Sequence, residues 1–164
     1  MVTKPSSSSL ADRQLTFQNA TIEDIPTIKA MVDAAYSKYI ERIGKRPAPM
    51  TADWAEMMKH YTILVLRDSE RAVGSIAYHR EDRTNSLKIE NAVVDPTIQG
   101  RGYGSYMISY VEKEALKQDL HSVTLYTNVK MVENIGYYGR LGFENEGTLI
   151  EEGFERVYFR KRLE

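Results

Sequence analysis

Three glycines in six residues, Gln99-Gly100-Arg101-Gly102-Tyr103-Gly104, stand between an apolar run, Leu87 to Val94, and an amphipathic run, Ser105 to Lys117. No other feature constrains this chain as strongly. A strand must hand over to a helix across a turn at Asp95-Pro96 and a stretch of nearly bare backbone. The first N–H groups of a helix lack intrahelical partners, and the helix dipole adds partial positive charge there, so such a junction is an anion site. Glycine also lets a phosphate approach the main chain closely. A plain strand–helix turn needs one glycine rather than three, so the junction points to a phosphate-bearing ligand.

Spacing narrows the choice. A dinucleotide fold asks for Gly-x-Gly-x-x-Gly near the first strand, with an acidic residue about 20 positions on. Here the spacing is Gly-x-Gly-x-Gly, well past mid-chain. A phosphate-binding loop ending in Gly-Lys-Ser/Thr is absent as well.

The 164 residues suffice for one domain with a real core. The formal net charge of −1 gives no reason to invoke nucleic acid or an anionic membrane surface. No long apolar stretch suggests a membrane span, and the first residues lack an apolar signal core. With no cysteine, thiolate nucleophiles and cysteine-ligated metals are excluded, and a cytoplasmic location is expected. The histidines, His60, His79 and His121, show no metal-ligand spacing, so no metal is expected. His79 follows Tyr78 at a strand end, where it would either face solvent or face a site. Residues 1–14, with Ser6 to Ser9, read as a flexible tail, and residues 15–164 as a single domain.

Periodicity predicts a strand at Leu15–Gln18, then a helix carrying Ile25, Ile28, Val32, Ala35, Tyr36, Tyr39 and Ile43, started by a capping-box-like Thr21/Asp24 and ended by Gly44, Pro47 and Pro49. Thr51 is expected to cap a second helix, Ala52 to His60. Strands follow at Thr62–Arg67, Ala72–His79 and Leu87–Val94. A helix over Ser105–Lys117, a strand over Val123–Thr127, a helix over Val132–Leu141 and strands over Phe143–Leu149 and Arg156–Arg160 complete the order. The expectation is a mixed α/β sheet of six to seven strands flanked by about four helices.

Val93 to Gly104 resembles the acetyl-CoA signature of the GCN5-related N-acetyltransferases (GNAT), Gln/Arg-x-x-Gly-x-Gly/Ala. Asn134-Ile135-Gly136-Tyr137-Tyr138-Gly139-Arg140-Leu141-Gly142-Phe143 resembles the family's second hallmark, a helix ending Tyr-x-x-x-Gly-Phe. The two motifs occur in the family's order, and the resemblance covers roughly residues 15 to 162. It implies the acyl-CoA N-acyltransferase fold and acetyl-CoA as cosubstrate. Gln99, Gly100, Arg101, Gly102, Tyr103, Gly104 and Ser105 would hold the pyrophosphate. Ala92, Val93 and Val94 would offer backbone groups to the pantetheine and the thioester carbonyl. Asn134 would contact the cofactor, because the family's more usual asparagine position is Met131 here.

Acyl transfer to an amine needs a neutral amine, a stabilised oxyanion and a protonated leaving thiolate. Tyr138 matches the family's tyrosine near the sulfur, implied to be the general acid. Its reference pKa of about 10 lies above the roughly 8.5 of a thiol. Tyr137 points away and is expected in the core. Glu90 matches a glutamate that serves some members as general base, and an ordinary strand-face carboxylate is the alternative. Strict alternation puts Glu90 with Ala92 and Val94, opposite Ile89, Asn91 and Val93, and the bulge usual in the family's strand would shift that phase.

The acceptor side in this fold is built by the first helices, their loop and the last hairpin. Tyr36 and Tyr39 share a helical face and can hold an apolar body, while Arg42 or Arg46 can pair with a carboxylate. A polyamine would want carboxylates instead, such as Glu151 and Glu152. Both readings stand, and the expected partner is a small-molecule amine, with a homodimer possible. The rival readings are a longer acyl-CoA or protein-amine transferase, and a CoA-binding module without catalysis.

Overall fold

The structure is a computed structural model that describes residues 13–164. The tail expected over residues 1–14 falls almost wholly outside the described residues. Its last two positions are tied down: Arg13 donates to the Tyr103 hydroxyl, and the Gln14 carbonyl accepts from Ser69 N–H at 2.8 Å.

Among the described residues seven strands form one mixed sheet. In chain order they are β1 Leu15–Asn19, β2 Thr62–Asp68, β3 Arg71–Glu81, β4 Ser86–Val94, β5 Ser122–Asn128, β6 Glu144–Glu151 and β7 Phe154–Arg162. Their spatial order is β1-β2-β3-β4-β5-β7-β6. Every pair is antiparallel except β4 with β5. That parallel pair requires a crossover, and the glycine-rich junction and following helix supply it.

The helices are α1 Ile25–Tyr36, α2 Lys38–Ile43, α3 Ala48–Thr51, α4 Trp54–His60, α5 Tyr103–Lys117 and α6 Val132–Arg140. The apolar stripe of α5 (Met107, Ile108, Val111, Ala115) seals one face of the sheet against Leu66, Ile76, Leu87 and Val123. Ile28, Met31 and Val32 of α1, with Trp54 of α4, cover the other face against Ile63, Val65, Ala77 and Val93. Truncating a buried leucine, isoleucine or methionine among these to alanine should cost about 2–5 kcal/mol.

Among the described residues six helices replace the expected four or so, for two local reasons. The single run predicted through Ile43 divides at Ser37, where Ile40 N–H bonds the Ser37 carbonyl rather than the carbonyl four residues back. The helix expected to begin after Thr51 begins at Trp54, because the Asp53 carboxylate caps it, accepting from Glu56 N–H at 3.1 Å. Aspartate is the stronger N-cap, and Thr51 instead ends the short α3. The Thr21/Asp24 box and the Gly44 terminus, at φ 91, are found where expected.

Two irregularities shape the site. First, β4 pairs with β5 only from Ser86↔Ser122 to Ile89↔Leu125. Beyond Ile89 the two strands separate, leaving the β5-facing edge of Glu90–Val94 without a strand partner. Second, β3 pairs Ala77 with Asn91 and Tyr78 with Ile89, so Glu90 is the extra residue of a β-bulge. The bulge overturns the strict alternation. Ile89, Ala92 and Val94 pack on the α5 side, while Asn91 and Val93 lie on the α1 side.

Candidate active site

The splayed strands open onto two cavities. The larger, about 510 Å³, is lined by Ala92, Val93 and Val94 of β4, by Gln99, Gly100, Gly102, Tyr103, Gly104 and Ser105 of the junction, and by Asn134, Tyr137 and Tyr138 of α6. The smaller, about 60 Å³, is lined by Glu90, Tyr126, Pro47, Pro49, Phe154 and Arg156 among others. Tyr36, Ala92, Asn134 and Tyr138 line both, so these four mark where the cavities meet.

The junction has the conformation its glycines allow. Gly100 and Gly102 lie at φ 82 and φ 88, the left-handed region that L side chains rarely adopt. Gly102 is the N-cap of α5, so the free N–H groups of that helix sit at the large cavity. Gly104 is needed for a different reason. A Cβ there would come within 2.9 Å of the Tyr137 hydroxyl. The bare cradle and the helix N-terminus fit a pyrophosphate, and the unpaired β4 edge fits an amide-bearing arm. Tyr103 is core, its hydroxyl donating to Asp68 at 2.6 Å, so its backbone is what it offers the loop. Arg101, expected as a fixed charge for the phosphates with its backbone N–H as the alternative contribution, is exposed and does not line the cavity.

On α6, Tyr138 packs against Phe143 and Phe159 with ring centroids 6.0 and 5.9 Å away. Burial, reinforced by the nearby Tyr36, Tyr137 and Tyr39, pushes its phenol well above the ordinary value, so it stays protonated. Asn134 donates to Thr127 Oγ1 at 3.3 Å. Tyr137 is half-buried and packs against the core, as its helical phase suggested, and it also lines the large cavity. The signal for that second role was the glycine opposite, Gly104.

Glu90, at the bulge, accepts from the Tyr126 hydroxyl at 3.2 Å on Oε1 and meets His79 Nε2 at 2.7 Å on Oε2, with Lys88 Nζ 3.6 Å away. The His79 ring stacks on Tyr61 at 4.6 Å. Burial, and then the Glu90 charge, push the Tyr126 phenol up, so it remains a donor to that carboxylate. Sequence alone left His79 between a site and a surface role, and it missed Tyr126. Their convergence follows from strand register.

Tyr36 and Tyr39 remain paired after the break in the helix, with ring centroids 6.2 Å apart. Tyr36 lines both cavities and accepts from Asn91 Nδ2 at 3.2 Å, whereas Tyr39 lines only the larger cavity. Arg42, expected on the acceptor side, lines neither of these two cavities, and its guanidinium grips Glu133 at 2.6 and 3.3 Å and the Lys130 carbonyl at 3.1 Å. It clamps α2 to α6. Lys45 makes a second clamp, donating to the Gly153 carbonyl at 2.8 Å and lying 4.2 Å from the Phe154 ring centroid. Among the described residues no cluster of three or more His, Cys, Asp or Glu is placed to hold a metal, and no helix is long and apolar enough to cross a membrane.

The Acetyltransferase (GNAT) family model matches residues 28–143. Histone acetyltransferase TAP1 of Glycine max is 24% identical over 151 residues, covering 86% of this chain and 61% of its own length. A second Glycine max relative is covered over 56% of its length, so the chain spans little more than half of these two proteins. An aminoalkylphosphonate N-acetyltransferase of Salmonella typhimurium is 26% identical over 131 residues, covering 77% of this chain and 83% of its own. Among solved structures, Ard1 from Thermoplasma volcanium matches with a TM-score of 0.73 at 16% identity, over 92% of this chain and 98% of its own. An N-acetyltransferase from Staphylococcus aureus Mu50 matches at 0.69 and 16%, over 92% and 99%. Likeness at such identities speaks to fold alone.

Proposed function

The chain belongs to the Acetyltransferase (GNAT) family, and from that premise we propose that it transfers the acetyl group of acetyl-CoA to the primary amine of a small-molecule acceptor by direct attack. One observation carries the reading. A large cavity built on the glycine junction and a small one built on Glu90 meet at Tyr138. A cofactor site and an acceptor site must touch at the reacting atoms, and a phenol held protonated stands at that point.

Acetyl-CoA would supply the activated thioester. Gly100, Gly102, Gly104 and the N-terminus of α5 bind its diphosphate by backbone N–H groups, and the unpaired edge of Ala92–Val94 offers further backbone groups. Glu90 takes a proton from the acceptor ammonium, directly or through water, so that the nitrogen lone pair can attack. Tyr138 donates its proton to the departing sulfur and recovers one from the newly acylated nitrogen by way of solvent. No covalent enzyme intermediate is needed.

A small acceptor is favoured over a protein tail because the cavity at Glu90 is only about 60 Å³. On a measure where one water takes about 10–15 Å³, it has room for only a few non-hydrogen atoms. The Salmonella relative named for aminoalkylphosphonates supports the same reading. Thiol release from acetyl-CoA, followed across a panel of short primary amines, tests it. Amine-dependent release with matching N-acetyl product is expected. Release without product, or none with any amine, would contradict it.

A further inference from the structure

We propose that the acceptor is a short amine that also carries an anionic group, a carboxylate or a phosphonate, and that Arg156 is the residue that reads it. This rests on the acetyltransferase reading above and identifies the acceptor class of that same site.

The small cavity has two charged side chains among the residues that line it, Glu90 from β4 and Arg156 from β7. They stand on either side of β5. Arg156 pairs across the sheet with Asn128, and Glu90 follows the last β4–β5 pair, Ile89↔Leu125. Tyr126 lies between them and organises both. Its hydroxyl binds Glu90 at 3.2 Å, and its ring lies 4.5 Å from the Arg156 guanidinium carbon. The guanidinium also lies 5.8 Å from the Phe154 ring, and its side chain is only 11% exposed. It is fixed by stacking and desolvated, which is where a planar cation binds an oxyanion most strongly.

The neighbouring charges do not cancel this arrangement. Glu151 lies 3.4 Å from Arg156 Nη1, but it is also held by the Tyr158 hydroxyl, and it lines a different cavity with Lys88. Arg42 is bound to Glu133, and Lys45 to the Gly153 carbonyl. A cavity with one carboxylate and one guanidinium complements a zwitterion. Glu90 has used two of its roughly four acceptor positions and retains capacity for an ammonium. A diamine would bring its second ammonium against Arg156, a like-charge contact that rejects it. The carboxylates considered for a polyamine, Glu151 and Glu152, do not line the cavity.

The test compares four amines of equal chain length: propylamine, 1,3-diaminopropane, β-alanine and 2-aminoethylphosphonate. Steady-state acetylation is measured with wild type, Arg156→Gln and Arg156→Lys, alongside acetyl-CoA binding. For wild type, kcat/KM for at least one acid-bearing amine should exceed that for propylamine and diaminopropane by about 10-fold or more. The better acid separates carboxylate from phosphonate recognition. Arg156→Gln should bring the ratio near one, and Arg156→Lys should retain part of it. Being a ratio within one preparation, it is insensitive to partial misfolding. Equal use of propylamine or diaminopropane, or a ratio that survives Arg156→Gln, overturns the proposal and leaves the acetyltransferase reading standing. Acetyl-CoA binding with no transfer to any of the four also overturns this acceptor class. Failure to bind acetyl-CoA overturns the underlying reading instead.

Discussion

Oε2 of Glu90 stands 2.7 Å from Nε2 of His79, while Nδ1 of the same ring lies 3.2 Å from the Arg80 carbonyl. The ring thus spans the Glu90 carboxylate and the β3 backbone and holds the carboxylate in place. His79→Phe keeps the stack on Tyr61 and removes the contact to Glu90. We predict that kcat falls about 10-fold or more, within the range of general-base effects, while acetyl-CoA affinity holds. An unchanged kcat would show that Glu90 does not depend on this contact.

Tyr138→Phe removes the phenolic proton and keeps the packing against Phe143 and Phe159. The expected result is a loss of about 10²-fold or more in kcat with little change in acetyl-CoA dissociation constant. Full turnover in this variant would show that the leaving sulfur takes its proton elsewhere.

Gly104 and Tyr137 form a coupled pair in the cavity wall. Gly104→Ala pushes the Tyr137 hydroxyl from its place, and affinity for acetyl-CoA should fall about 5-fold, the equivalent of roughly 1 kcal/mol. Tyr137→Phe removes the clashing oxygen. In the double variant most of the loss should be recovered, giving a measurable interaction energy in a double-mutant cycle. Strict additivity would mean the two positions do not share the wall.

Alkaline stability should report on buried phenols. Burial, opposed by the Asn91 hydrogen bond and aided by Tyr39, pushes Tyr36 up to about 12, and burial raises Tyr78 to about 12 as well. An unfolded tyrosine titrates near 10. The folded state therefore binds these protons more tightly, and the stabilisation is fully present below about pH 10 and lost as pH rises through about 12. Tyr36→Phe should flatten part of that decline in denaturant titrations across the window. A slope identical to wild type would contradict the shift.

The large cavity of the candidate site was legible in the sequence because its determinants are local. Three glycines at fixed spacing specify a backbone shape, and an apolar run on each side specifies a strand and a helix. The place of Tyr138 beside it was legible for the same reason, through its spacing to Gly142 and Phe143. The small cavity depends on register. Glu90 meets His79 because a bulge places an extra residue opposite β3, and Tyr126 reaches it only because β4 and β5 run parallel before they part. Arg42 stood in a basic stretch that suggested a substrate anion. Its partner, Glu133, lies on another helix and is invisible to spacing. Arg156 occupies the cavity that Arg42 was expected to serve, at a position where alternation along β7 gave no hint of function. The break at Ser37 and the cap at Asp53 were missed because adjacent residues competed for the same local role.

The most direct test of the account is a titration of the protein with acetyl-CoA read by thermal stability, with CoA and NAD in parallel and Gly102→Glu as the control. Ligand at about 100 times its dissociation constant should add roughly 2.7 kcal/mol, several degrees for a domain of this size. The account predicts that both CoA species stabilise wild type, that NAD does not, and that Gly102→Glu loses the effect. No shift with acetyl-CoA, or an equal shift with NAD, would contradict it.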